Sequence, residues 1–159
     1  MIDEKAYKEI QGRFSDYLAE KKLRKTEERT TILEQVCSFS GYFDISMLHE
    51  KLSETKFHVS KSTLYNTLEV LIEAGIVIKH LSNSNSLHYE LRVLAETHVN
   101  LICMKCGSIR QLKNSQFKNS TTISKTSKFT PELFLLYIYG VCSKCKYNRR
   151  GTKSKKIKT

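Results

Sequence analysis

Apolar residues recur at spacings of three and four along the first half of the chain, the period of a helix with one buried face. Between Glu4 and Glu20 they are Tyr7, Ile10, Phe14 and Leu18, which predicts an amphipathic helix. A basic connector, Lys21-Lys22-Leu23-Arg24-Lys25, leads out of it. Thr26 reads as the N-cap of a second helix, with Glu27 and Glu28 in the first turn, where negative charge suits the helix dipole. Ile32, Leu33, Val36 and Cys37 form its apolar stripe. Cys37 is read as a small core residue, with a reactive thiol as the alternative. Asp44 is placed to cap a short third helix whose Ile45, Leu48 and Leu52 face inward.

The next helix is bounded by Ser60 as cap and Gly75 as stop, with Leu64, Leu68, Leu71 and Ile72 clustered on one side. The other side carries Ser62, Asn66, Glu69 and Glu73, with Tyr65 at the flank. Small polar and aromatic side chains near a helix N-terminus suit the major groove of double-stranded DNA. Lys61, Ser62 and Thr63 are then expected near phosphates, and Tyr65 or Asn66 reaches base edges or a thymine methyl. Glu69 and Glu73 count against this, because carboxylates repel phosphates unless one accepts from cytosine N4. An ordinary surface helix is the alternative. Ile76–Leu81 and Leu87–Leu91 alternate or run apolar around the polar turn Ser82-Asn83-Ser84-Asn85-Ser86 and predict a hairpin. Three helices followed by a hairpin make a winged helix-turn-helix, with Arg24 and Lys25 positioned to touch DNA backbone or minor groove.

Two matched pairs, Cys103-Met104-Lys105-Cys106 and Cys142-Ser143-Lys144-Cys145, read as one tetrahedral site for a single structural Zn²⁺ per chain. Gly107 and Gly140 offer the backbone freedom such turns use. Two disulfides or buried free thiols are the alternatives. Nothing at the N-terminus resembles a secretory signal, so the expectation is a cytoplasmic chain whose paired CxxC motifs bind metal. Four cysteine ligands leave no open coordination position, and no paired carboxylates, nucleophile–base pair or phosphate loop occurs. The expectation is not an enzyme.

A length of 159 residues allows one or two small domains, and no run of about 18 apolar residues predicts a membrane span. The formal charge of +11 suggests a polyanionic partner, but its distribution qualifies that. Residues 1–94 carry 13 Lys/Arg against 14 Asp/Glu, residues 95–145 carry 7 against 2, and residues 146–159 carry 7 against none. Zinc held by four thiolates adds a net charge of about −2, so the second half is less basic than its composition. The tail over 148–159 reads as basic and disordered. DNA binding does not follow from net charge alone.

The chain resembles the ferric uptake regulator family of bacterial metalloregulators. The matching residues are Leu23-Arg24-Lys25-Thr26 with Arg29, Ser62-Thr63-Leu64-Tyr65-Asn66-Thr67-Leu68, Glu73-Ala74-Gly75-Ile76-Val77, His88-Tyr89-Glu90, and the two cysteine motifs with their flanks, over residues 10–146. The resemblance implies an α+β fold: a winged-helix DNA-binding domain over 1–91, a hinge over 92–97, and a small α/β dimerisation domain over 98–147 built around the four-cysteine zinc. It also implies a homodimer that represses transcription from an AT-rich palindromic operator in iron homeostasis. Residues 114–129 fall where the family has a helix that their Ser, Thr and Lys content favours only weakly.

The departures bear on mechanism. The family senses a divalent metal at a hinge site made from a histidine in the DNA-binding domain, a wing glutamate and two histidines before the first CxxC. Here those positions hold Tyr42, Glu90, His98 and Asn100, so Glu90 and His98 are a remnant of the regulatory site. The family's further site needs a carboxylate and a histidine, yet residues 101–145 hold no histidine and only Glu132 as an acid. A His/Glu pair alone competes poorly with hydration, and His88 is a third ligand only if it moves in. The expectation is weak or absent metal sensing. Another effector such as haem or a redox signal, or a zinc-stabilised dimer that binds a non-DNA partner, are the alternatives.

Overall fold

The computed structural model describes residues 2–55, 57–81, 87–113, 133 and 135–147. They fall into two compact units, one up to residue 97 and the other from His98 onward. The expected turn at 82–86, the weak helix over 114–129 and the basic tail over 148–159 lie outside the described residues.

The first unit begins with α1 (Glu4–Glu20), α2 (Glu27–Cys37), α3 (Ile45–Glu54) and α4 (Lys61–Glu73). Each helix starts where a side chain can accept an otherwise orphaned backbone N–H. Thr26 Oγ1 accepts from Arg29 N at 3.4 Å, Asp44 Oδ1 from Met47 N at 2.8 Å, and Ser60 Oγ from Thr63 N at 3.1 Å. Asp3 does the same for α1, from Ala6 N at 2.7 Å. Helix α4 stops as expected, with Gly75 in the left-handed region at φ +65° just past the last turn. Its buried face is Leu64, Thr67, Leu68 and Leu71, while Ile72, expected inside, is half-buried. Thr67 lies on the same stripe as Leu64, Leu68 and Leu71, and a short β-branched side chain fits there. Ile10, Phe14 and Leu18 of α1 join the same core as Ile32, Leu33, Val36 and Cys37 of α2 and Leu48 and Leu52 of α3.

The predicted hairpin is β1 (Val77–Leu81) paired antiparallel with β2 (Leu87–Leu91), in the register Ile78↔Glu90, Lys79↔Tyr89 and His80↔His88. Phe43 and Tyr89 exchange backbone hydrogen bonds of 2.8 and 2.9 Å, which fasten this wing to the segment before α3. The segment expected as a hinge contains a single helical turn, α5 (Arg92–Ala95), grouped with the first unit.

Among the described residues, the second unit holds three strands in the order β4 (Ile109–Lys113), β3 (His98–Cys103), β5 (Leu136–Gly140), followed by α6 (Ser143–Tyr147). Strand β3 is antiparallel to β4 and parallel to β5, with Leu101 opposite both Arg110 and Ile138. A parallel pair needs a connection of about a dozen residues or more, a length that residues 104–135, β4 among them, supply. No helix among the described residues is long and apolar enough to cross a membrane.

Candidate metal centre and nucleic-acid interface

The sheet delivers the two cysteine pairs to one place. Cys103 ends β3, Cys142 follows β5, and the β3–β5 pairing carries Cys103 opposite Gly140. Gly107 N donates to Cys103 O at 2.9 Å and adopts φ +69°, closing the first turn; Lys146 N donates to Cys142 O at 2.9 Å in the second. The four Sγ atoms lie within 4.8 Å of one another. Tetrahedral zinc with Zn–S bonds of about 2.3 Å sets its sulfurs about 3.8 Å apart, and Cys106 Sγ lies 3.8 Å from Cys142 Sγ.

The electrostatics of the cluster ask for a cation. The Cys142 N–H donates to Cys103 Sγ at 3.3 Å, and this bond, reinforced by the Cys106 N–H, pulls the Cys103 thiol down to about 6. The Ser108 hydroxyl, 3.2 Å from Cys106 Sγ, holds that thiol below its ordinary value. Cys106 and then Cys142, crowding Cys145, push it up to about 12. One sulfur is poised to ionise and another resists because its neighbours do. A divalent cation at the centre removes the conflict by stabilising all four thiolates, so the donor set fits zinc.

On the first unit, Lys61, Ser62, Tyr65 and Asn66 are exposed along α4 and Thr63 is half-exposed. The Ser60 Oγ lies 2.7 Å from Ser62 Oγ and 2.9 Å from Thr63 Oγ1, so these hydroxyls also serve the helix cap. Arg24 and Lys25 are exposed on the connector between α1 and α2. The Arg29 guanidinium donates to the Arg24 carbonyl at 2.6 Å, and Lys22 takes a left-handed φ of +54°, which together shape the connector. An open cleft of about 470 Å³ runs between them, lined by Lys22, Arg24, Arg29, Thr63 and Asn66 among others. Glu73 is turned to other use: it accepts from Tyr17 Oη at 2.7 Å, holding α1 against the end of α4.

In the wing, Glu90 is wholly buried, with its Oε2 3.4 Å from Nε2 of the buried His80. The Tyr42 ring packs edge-on against His80, centroids 5.1 Å apart, and lies 6.4 Å from the ring of His88. In the second unit, His98 Nε2 is 3.1 Å from Asn100 Oδ1, both buried on β3.

Comparison with known proteins follows the same lines. The model of the ferric uptake regulator family matches residues 20–139. The chain belongs to the ferric uptake regulator family. It is 30% identical to the ferric uptake regulation protein of Haemophilus ducreyi over 125 residues, 76% of this chain and 83% of that one. It is 26% identical to the peroxide-responsive repressor PerR of Staphylococcus epidermidis over 125 residues, 78% and 82% of the two chains. In structure it is similar to the ferric uptake regulator of Pseudomonas aeruginosa with manganese, at a TM-score of 0.66 and 21% identity over 81% of this chain and 97% of that one. Members of this family are transcriptional regulators, not enzymes, and the α+β fold with its N-terminal winged helix is the family's architecture.

The four cysteines come together as their spacing implied, and of the α4 positions Thr63 and Asn66 line one cleft with Arg24 of the connector. Sequence reasoning missed His80. The signal was available, since His80 and His88 sit at matching positions of the hairpin and residues directly opposite in an antiparallel pair share a face.

Proposed function

We propose that this family member is a homodimeric, zinc-stabilised, sequence-specific DNA-binding regulator of transcription in the cytoplasm, repressor-like, whose response to a second metal is weak or absent. The observation that carries the DNA reading is the exposed face of α4, Lys61, Ser62, Tyr65 and Asn66, beside the basic connector. Phosphate contacts come from Arg24, Lys25, Lys61, Ser62 and Thr63, and base contacts from Tyr65 and Asn66. One Zn²⁺ per chain is held by Cys103, Cys106, Cys142 and Cys145. The domain roles follow: 1–91 binds DNA, 92–97 links, 98–147 dimerises. Support for the last comes from β5, an edge strand among the described residues with exposed Ile138 and Tyr139, since an apolar edge is an invitation to pairing. The regulatory metal positions retain Glu90 and His98 beside Tyr42 and Asn100.

A salt-titrated gel shift on an AT-rich palindrome and on random DNA tests this. Wild-type binding to the palindrome survives random competitor. Tyr65→Ala weakens it and narrows the preference by about 1–3 kcal/mol, while Arg24→Ala weakens both DNAs alike and lowers the salt slope by about 1. Equal affinity of the wild type for palindrome and random sequence overturns the reading in favour of a non-DNA partner.

A further inference from the structure

We propose that Lys22 is a further phosphate contact of the DNA interface, kept as a lysine at a position whose backbone favours glycine because its ammonium completes the basic cleft between the connector and α4. The inference rests on the DNA-binding reading and adds a contact that the α4 face, Arg24 and Lys25 do not supply.

The backbone sets Lys22 apart. Helix α1 closes with Lys22 N donating to the Ala19 carbonyl at 3.1 Å and Leu23 N to the Leu18 carbonyl at 2.8 Å, the paired bonds of a turn whose first residue beyond the cap is left-handed. Glycine is the usual residue there, because a Cβ crowds the following carbonyl oxygen. Among the described residues Gly75 and Gly107 take positive φ angles of +65° and +69°, and the non-glycine residue that does so is Lys22, at +54°. Such strain persists where the side chain has a use that outweighs it.

The place of that side chain says what the use is. Lys22 is exposed and lines the cleft of about 470 Å³ together with Arg24, Arg29, Thr63 and Asn66. Three cations there face one carboxylate, Glu28, which its own backbone N–H and the Thr26 hydroxyl engage. The Arg29 guanidinium is partly committed to the Arg24 carbonyl at 2.6 Å, and the Lys25 ammonium donates to Ser15 Oγ at 3.3 Å. A phosphate passing between the connector and the start of α4 therefore meets Lys22 as a cation at the mouth of the cleft. A lysine at a helix C-terminus also complements the dipole, but that role needs no left-handed residue, and Lys21 already stands there. Lys21 is turned elsewhere: its ammonium lies 3.2 Å from Glu20 and 5.6 Å from the Tyr17 ring centre.

The test is a salt-titrated gel shift with the full-length, zinc-loaded protein on the AT-rich palindrome and on random DNA, beside thermal melting. Lys22→Gly suits the backbone angle and removes the charge. It is expected to melt no earlier than the wild type, yet to bind both DNAs about tenfold more weakly per chain at low salt, with a salt slope lower by about 1 per chain. Lys22→Asn, whose side chain tolerates the left-handed region, gives the same loss and controls for a connector loosened by glycine. Lys22→Arg and Lys21→Ala keep both affinity and slope. An unchanged slope in Lys22→Gly and Lys22→Asn overturns the proposal. An earlier melt in both variants assigns the lysine to the end of α1 and overturns it equally. Equal binding of palindrome and random DNA by the wild type counts against the sequence-specific reading alone, because the slope difference at Lys22 is read on either DNA; a wild type that binds neither overturns both.

Discussion

The five cysteines put one side chain into two opposed environments. Cys37 is 5% exposed among Ile32, Leu33 and Val36, and burial, with Glu34 adding to it, pushes its thiol up to about 12. The thiolate is the reactive form, so Cys37 is inert while the protein is folded. With zinc bound, the other four are metal thiolates and are shielded too. A thiol-titrating reagent at pH 8 is therefore expected to find almost nothing in the zinc-loaded native protein, four thiols after a strong chelator, and the fifth only with denaturant. Early labelling of Cys37 in the native protein contradicts its core assignment. Because its folded value lies above an ordinary thiol's, the stability it contributes is complete below about pH 9. It is lost between there and about pH 12, at up to about 1.4 kcal/mol per pH unit.

At the scale of elements, the helices were legible because each carries a period, a cap and a stop that agree with one another. Thr26, Asp44 and Ser60 cap as read, and Gly75 ends α4 through a backbone angle that suits a residue without Cβ. The second unit was legible only at its cysteines. Strands β3, β4 and β5 are short and carry mixed faces, and β3 buries Asn100 and His98 as well as Val99 and Ile102, so hydropathy does not announce it. His80 escaped notice for a related reason: a histidine in a strand has no signature until its register and burial are known. The cysteines matter most to stability here, because among the described residues of this unit only Ala-sized or larger apolar side chains at Val99, Ile102 and Cys103 are buried. Apparent zinc-binding energies of such sites are on the order of 10 kcal/mol. Cys103→Ser is expected to release the zinc and unfold the second unit, lowering its melting transition sharply, while the first unit keeps its helical signal. A Cys103→Ser protein that retains one zinc and an unchanged melting profile counts against the structural role.

For the molecule as a whole, the open question is what a second metal does to DNA binding. An effector shifts a conformational balance only by its differential affinity for the two states. On the proposed reading, Tyr42 and Asn100 replace two of the ligands through which the family's regulatory metal acts. Tyr42 packs on His80 within the wing, and Asn100 bonds His98 within its own strand. On that reading, losing half of the ligands removes most of a coupling that is typically about 1–3 kcal/mol. Zinc-loaded protein is therefore expected to bind its operator with the same affinity, within about threefold, before and after addition of Fe(II) or Mn(II). Tyr42→His with Asn100→His is expected to create a metal response of about tenfold or more, the lower half of that coupling range. The measurement is a gel shift on specific DNA across a metal titration. A large saturable gain in the wild type shows that Glu90 and His98 recruit enough other donors to sense metal after all; a double variant that stays silent shows that ligand identity at positions 42 and 100 is not what was lost.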